Sequence, residues 1–465
     1  AQIITTVAGS GSHPYNGDGG QATASSLFYP MAIAIDKAGN LYIDDTYDYR
    51  IRKVNTNGII KTIAGNGTAG PPVGTGPATA AELSFSRGIV LDTLGNLYMT
   101  DIDIIRKVNS LGIISAVAGT GVTGYSGDGG QATNAKLYAP WGITIDAAGN
   151  LFFSEFGNFI IRKVNTNGII STFAGNGTQG HSGDGGPAIA AKLSSVSGLA
   201  FDKTGNLYIA DGAYIRKINT NGIISTIAGN GTYADGGDGG PATLAPLNGT
   251  GGLAFDKTGN LFITNSASVR KIDLNGIIST VAGTDTLGFN GDGHLATATK
   301  LSSPTSIAFD TSGYLYICDQ QNHRIRKVTC SSISTRLSNT IDNNTLSASS
   351  INTSTWSSYI EKEIATINPT QTNNINTISN VNCFSAIQQI TINNTQPNIY
   401  PNPANNKITI DATDVTDIKL FDVIGKQIAS AKTTDVDVSN LPEGVYFIQV
   451  KTNNGTSTQK IIVQH

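Results

Sequence analysis

Apolar and polar residues alternate along most of this chain in short runs punctuated by Gly, Asn and Asp, a strand pattern rather than a helical one. The first clear set reads Ala32–Asp36, Leu41–Asp45, Arg50–Val54 and Ile59–Ala64. Hairpin signals lie between its members, with Gly39 and Gly58 placed to supply positive φ. The set then recurs. GNLY-type strings begin at Gly39, Gly95, Gly149, Gly205, Gly259 and, in a weaker copy, Gly313. IRKV-type strings place an arginine at Arg52, Arg106, Arg162, Arg216, Arg270 and Arg326, and GII-type strings start at Gly58, Gly112, Gly168, Gly222 and Gly276. A repeat of 54 or 56 residues carrying four strands predicts a propeller blade. The sixth GII string is missing after Lys327, and Ile3–Gly9 supplies it at the start. The N-terminal strand is therefore expected to complete the last of six blades and close the ring, which removes an exposed sheet edge.

The distance from each GII string to the next GNL string is 37 residues in every internal copy, so this long segment reads as structured. The repeat length varies only between the second and third strands, where six residues separate Asp45 from Arg52 but four separate Asp101 from Arg106. A change of two preserves which face each side chain takes.

Composition narrows the class. Glycine contributes 54 of 465 residues and charged residues only 14%, so Asn, Thr, Ser and Gly must provide most of the polar surface. A net charge of -3 excludes a nucleic-acid binder that works by phosphate neutralisation. No apolar run is long enough for a membrane-spanning helix. The start in an apolar stretch and the presence of two Met suggest a removed signal peptide and a secreted protein. Three cysteines allow one bridge at most, with Cys330 and Cys383 as candidates and Cys318 as a small buried filler in mid-strand.

After Val328 the composition shifts. Residues 329–397 form a Ser/Thr/Asn-rich linker or small stapled module, with a helical spacing of Ile360, Ile364 and Ile367. Alternating strands return from residue 398: Lys407–Ile410, Ile418–Val423, Val445–Val450 and Lys460–Val463.

These strings carry two resemblances. Residues 1–328 resemble the NHL repeats of secreted bacterial proteins, a family that forms six-bladed propellers. Residues 398–465 carry Tyr400-Pro-Asn-Pro403, Leu420–Lys426 and Leu441–Tyr446 in order, and are similar to the C-terminal sorting domain of type IX secretion substrates of Bacteroidetes. The whole chain is expected to be all-β: a closed propeller, a linker and a small Ig-like β-sandwich. The second resemblance implies the type IX machinery as a partner and a final place outside the cell or on the outer-membrane surface.

Function is less legible. The carboxylate ending the second strand (Asp45, Asp101, Glu155, Asp211, Asp319, with Asn265 in the fifth copy) and the arginine of the third strand register together. Pairing Ile43 with Val54 would set Asp45 opposite Arg52, a structural ion pair repeated in every blade. The GDGG aspartates Asp18, Asp128, Asp184, Asp238 and Asp292 read as Asx turns entering one helical turn. Calcium is the sharper alternative for them, but it takes six to eight oxygens and each copy offers one carboxylate. No cofactor is expected. Ala34, Val90, Thr144, Ala200, Ala254 and Ala308 are expected to line the central channel, and the Asp that follows each innermost strand reads as turn chemistry. Six-bladed relatives with lyase or hydrolase activity hold a metal or catalytic groups in that channel, whereas the five histidines here share no repeat position.

What breaks the symmetry is aromatic. Where the long segment enters the innermost strand, blades 1–3 carry Tyr29 and Met31, Phe85 and Arg87, then Tyr138 and Trp141, while blades 4–6 carry Ser, Gly, Asn and Thr. The longer loops on the same face add Tyr47, Tyr49 and Phe159. This face is the candidate surface of a binding or adhesion module for a protein or glycan, with a metal-dependent propeller lyase or hydrolase as the alternative.

Overall fold

The first repeat forms strands Ala32–Ile35, Leu41–Asp45, Arg50–Val54 and Ile60–Ala64, hydrogen-bonded as one antiparallel sheet in chain order. This computed structural model describes residues 2–70, 74–330, 398–400, 407–411, 415–422, 427–431, 434–452 and 455–463. Six such sheets occupy the described part of residues 2–330, making an all-β, propeller-like fold. The hairpin after each innermost strand follows the expected chemistry. Asp36 accepts hydrogen bonds from the amides of Ala38 (3.0 Å) and Asn40 (2.8 Å), and Gly39 takes φ 87°.

The sixth sheet runs Pro304–Phe309, Leu315–Asp319, Arg324–Cys330, then Gln2–Ala8. Gln2 lies opposite Cys330 and Thr6 opposite Arg326, so the first strand of the chain is a member of the last repeat's sheet, as the displaced GII string predicted. The core lies between sheets. Ile51 and Ala64 of the first pack with Leu83, Ile89 and Met99 of the second, and similar clusters fill the other junctions.

The 37-residue segments are ordered by burial. Each ends a glycine-rich loop in a short 3-10 turn whose first residue is a buried alanine (Ala22, Ala78, Ala132, Ala188, Ala242, Ala296), followed five residues later by a buried leucine such as Leu27 or Leu83. Fully burying a leucine contributes about 1.5–3 kcal/mol, which explains why the length of this segment is fixed.

Two corrections concern register and facing. The second and third strands pair Leu41 with Val54 and Ile43 with Arg52, so Asp45 faces Arg50 rather than Arg52. A slip of two residues keeps the face, and Asp45 still reaches Arg52 diagonally. Ala34, Val90, Ala200, Ala254 and Ala308 pack against the hydrophobic clusters of the sheets, and the cavity between the innermost strands is lined instead by Ile33, Ile89, Ile143, Leu199, Leu253 and Ile307. An innermost strand turns its edge to the axis, so both of its faces meet neighbouring sheets.

Contact density separates residues 387–465 from the rest of the chain. Its described strands form a three-stranded sheet (Asn398–Tyr400, Lys407–Asp411, Asp435–Asp437) and a four-stranded one (Gln427–Ala431, Val415–Phe421, Gly444–Thr452, Gly455–Val463). Ile408, Ile418, Val436, Ile448 and Ile461 share one core between them. The predicted helix at Ile360–Ile367 and Cys383, the expected partner of Cys330, lie within 331–397, outside the described residues.

Candidate functional site

The repeated ion pairs define what is scaffold. Arg52, Arg162, Arg216 and Arg326 are fully buried and each meets two carboxylates: Arg52 contacts Asp45 at 3.4 Å and Asp18 at 2.8 Å. The GDGG aspartate is thus an ion-pair partner rather than an Asx turn. It also accepts hydrogen bonds from the outer strand, the Thr62 amide donating to Asp18 at 2.9 Å. The same contacts recur for Asp128, Asp184 and Asp292, and Asp238 binds Arg270. These aspartates clamp a loop, a third strand and an outer strand together. Burial opposes ionisation of Asp18, but the Thr62 and Arg52 contacts win and hold it below the ordinary carboxylate range. The buried partners shift the other way: burial pushes Asp319 up to about 6 despite Arg326.

Two blades depart from this pattern. Gly74 takes the aspartate's place in blade 2, leaving Arg106 with Asp101 alone (3.1 Å) and its Nη2 without a partner. In blade 5, Asn265 replaces the buried acid and donates to Asp235.

The asymmetric residues gather on one face. Tyr29, at φ 48°, lies beside the loop Thr46–Asp48. It packs on Tyr47 at 5.2 Å between ring centroids, and Tyr47 packs on Phe85 at 5.4 Å, with Tyr49 against Phe85 at 5.7 Å. Phe28, His13 and His323 extend the arc: His13 stacks on Phe28 at 4.3 Å and His323 meets Tyr29 edge-on at 4.7 Å. The Tyr29 amide donates to His323 Nδ1 (3.1 Å), and burial lowers the pKa of that imidazole. Tyr47 and Phe85 remain 45% and 39% exposed, so the arc has an open surface.

Nearer the axis, Met31, Arg87, Trp141, Ser197, Gly251 and Thr305 occupy equivalent positions and ring the mouth of a cavity of about 120 Å³. The inner strands touch closely here; a Cβ on Gly142 would lie 1.9 Å from the Ser197 carbonyl oxygen. Three bulky residues therefore face three small ones across the mouth. Arg87 lies over the Trp141 ring at 4.3 Å, with Phe156 against the same indole at 5.2 Å.

Of the residues singled out in the sequence, Tyr29, Tyr47, Tyr49 and Phe85 are brought together in the arc, and Met31, Arg87 and Trp141 at the mouth. Tyr138 is exposed on the same face and packs over Gly157. Phe159 is half-buried at φ 55° and makes no ring contact with the arc. His13, His323 and Phe156 were missed. His323 had a readable signal: it stands three residues before Arg326, as Tyr49 stands before Arg52 and Phe159 before Arg162. Among the described residues no group of three or more His, Cys, Asp or Glu side chains is placed to hold a metal ion.

Comparison with known proteins places these features in context. Residues 6–73, 120–180, 176–236 and 230–290 match the Teneurin NHL domain, and residues 398–464 match the secretion system C-terminal sorting domain. Teneurin-1 of Mus musculus is 29% identical, over 70% of this chain and 13% of that protein. Teneurin-m of Drosophila melanogaster is 29% identical, over 66% of this chain and 12% of that protein. The chain thus spans a small part of the length of these relatives. Among solved structures, an auxiliary nutrient binding protein from Bacteroides ovatus superposes with a TM-score of 0.54 at 16% identity, over 71% of this chain and 77% of that one. A protein of unknown function from Bacteroides thetaiotaomicron gives 0.53 at 17% identity, over 71% and 76%. At these identities the likeness is one of fold.

Proposed function

The chain belongs to the NHL-repeat family of propellers and carries a type IX secretion sorting domain, and from this we propose that it is a binding or adhesion module that holds a protein or glycan on one propeller face. The sorting domain directs secretion to the cell surface or the extracellular space and engages the type IX machinery. In this reading residues 1–328 are a closed six-bladed propeller, 329–397 a linker, and 398–465 an Ig-like sandwich used for export. The observation that carries the proposal is the continuous aromatic arc from His13 through Tyr29 and Tyr47 to Phe85, beside the Arg87–Trp141 pair. A purely structural plug would repeat from blade to blade as the buried arginines do, and this one does not. Exposed rings on a rigid scaffold bury large area on binding at small entropic cost. The nutrient-binding role of the Bacteroides ovatus protein is in keeping with this reading.

The test is an array of glycans and surface proteins probed with the full chain. Replacing Tyr29 and Trp141 together with Ala should weaken a hit at least tenfold, since an interface aromatic contributes about 1–3 kcal/mol. Replacing Ser195 and Ser303, which hold the Tyr29 position in the fourth and sixth repeats, should leave it intact. Equal loss from both pairs, or no loss from the aromatic pair, would show that the asymmetry serves blade packing.

A further inference from the structure

Nine of the chain's arginines lie in the described residues, and eight of them are engaged. Six are the ion-paired arginines of the third strands. Arg50 donates to the Asp48 and Asn66 carbonyls, and Arg324 to those of Asn322 and Ser10. Arg87 is the exception: among the described residues its guanidinium has no hydrogen-bond or ion-pair partner, only the Trp141 ring beneath it. Burial lowers its pKa, so the charge sits in a partly desolvated place, with the Tyr47 phenol close enough to be felt electrostatically. Leaving a cation half-buried and unpaired is unfavourable unless something outside the chain compensates it.

The repeat supplies its own controls. The equivalent positions hold Met31, Trp141, Ser197, Gly251 and Thr305, so five blades fold with a neutral residue there and the fold has no need of a cation. The contact with the Trp141 ring holds the guanidinium in place without using its N–H donors, which form the planar fork that matches a carboxylate bidentately. Ser197, Gly251 and Thr305 keep the opposite wall low. Outside the mouth, the exposed rings of Tyr47 and Phe85 offer apolar faces of the kind that the C–H face of a pyranose ring covers.

We propose that Arg87, held on Trp141 at the mouth of the central cavity, is the anchor for the carboxylate of an acidic saccharide, a uronic-acid unit whose neighbouring sugars lie along Tyr47 and Phe85. This rests on the binding-module reading and names the ligand class for it. Arg87 sets specificity for charge; the aromatic arc supplies area.

The experiment is calorimetry of the full chain with trigalacturonic acid, its neutral counterpart galactotriose, and a short peptide with a free C-terminal carboxylate. The acidic trisaccharide should bind, the neutral one at least tenfold more weakly, and added salt should narrow the gap. R87Q should lose at least tenfold for the acidic probe only, and R87K should recover part of it. Since no hydrogen bond or ion pair of the fold depends on the Arg87 guanidinium, the melting temperature of R87Q should not fall below that of the parent. Equal binding of both trisaccharides, with no effect of R87Q but loss in Y47A, would overturn the carboxylate assignment while the binding module stands. Binding of neither sugar, or of the peptide alone through Arg87, would overturn the saccharide assignment, with the array in the preceding section deciding the wider reading.

Discussion

Asp44 sits where the other blades hold Thr100, Ser154, Ala210, Thr264 and Cys318, next to the end of a second strand. Its carbonyl accepts from the Met31 amide at 3.0 Å, so it helps to place a residue of the mouth. Its side chain is buried, with no arginine beside it. Burial pushes the carboxyl up from 3.8 to about 7, the Ser86 and Thr46 hydroxyls offsetting this in part and the charge of Asp101 adding to it. An acid with a raised folded-state pKa binds its proton more tightly when folded. Its effect on stability is therefore nil below the unfolded value, and a penalty grows as pH rises from about 4 to about 7. At about 1.4 kcal/mol per pH unit the full penalty is about 4 kcal/mol above pH 7.5. Asp44→Asn removes the charge and keeps the shape. It should stabilise the protein by up to that amount at pH 8, and by well under about 1 kcal/mol at pH 4. Asp44→Thr, the residue of blades 2 and 5, should behave alike. Urea denaturation of parent and variants across pH 4–8.5, followed by circular dichroism, measures the difference directly, and effects common to both proteins cancel. A gap that is independent of pH, or destabilisation by Asn at pH 8, would show that the carboxylate is stabilised in the fold and would refute the reasoning.

Two further outcomes follow from the scaffold. Deleting residues 1–9 removes a strand that buries Ile4 and Ala8 against Val328 and Ile325, and should lower the melting temperature by about 5–10 °C; an unchanged curve would exclude ring closure by this strand. Asp101→Asn strips Arg106 of its one carboxylate among the described residues, whereas Asp45→Asn leaves Arg52 with Asp18, so the first substitution should be the more destabilising of the two. Denaturation midpoints of the two variants at pH 7 decide this, and a larger loss from Asp45→Asn would contradict the two-carboxylate account.

The sheets were legible because turn chemistry and period repeat together: Asp36, Gly39 and Gly58 do the same work in the first repeat as their counterparts do in the others. Register was less legible. The alternation that places Asp45 and Arg52 on one face is preserved by any shift of two residues, so the sequence pattern admitted both Ile43–Val54 and the observed Leu41–Val54. The GDGG aspartates were misread because their partners, Arg52 and Thr62, lie 34 and 44 residues away, beyond any local turn rule. In the tail, Asn398–Tyr400, Gln427–Ala431 and Asp435–Asp437 went unpredicted, being short and weakly apolar. The aromatic asymmetry could be read position by position, but its assembly into one arc could not. His13 belongs to it only because the chain's first segment returns to the sixth sheet and lays that histidine on Phe28.

That return also explains why the asymmetry sits where it does. The sixth sheet is the junction at which residues from both ends of the propeller meet, Tyr29 donating to His323 across 294 positions of sequence. Every other junction joins successive repeats and can be copied whole when a repeat is duplicated. This one joins the first strand to the last repeat's sheet and has no counterpart among the others, so changes there are not averaged by the repeat. The ion pairs follow one plan in all six sheets, departing from it only where Gly74 and Asn265 stand. The arc grows outward from the one junction with no internal counterpart, reaching Phe85 in blade 2 and leaving Arg87 beside it without a partner of its own. A repeated scaffold with one unrepeated seam leaves room for an aromatic arc without disturbing the pairs that keep the sheets together.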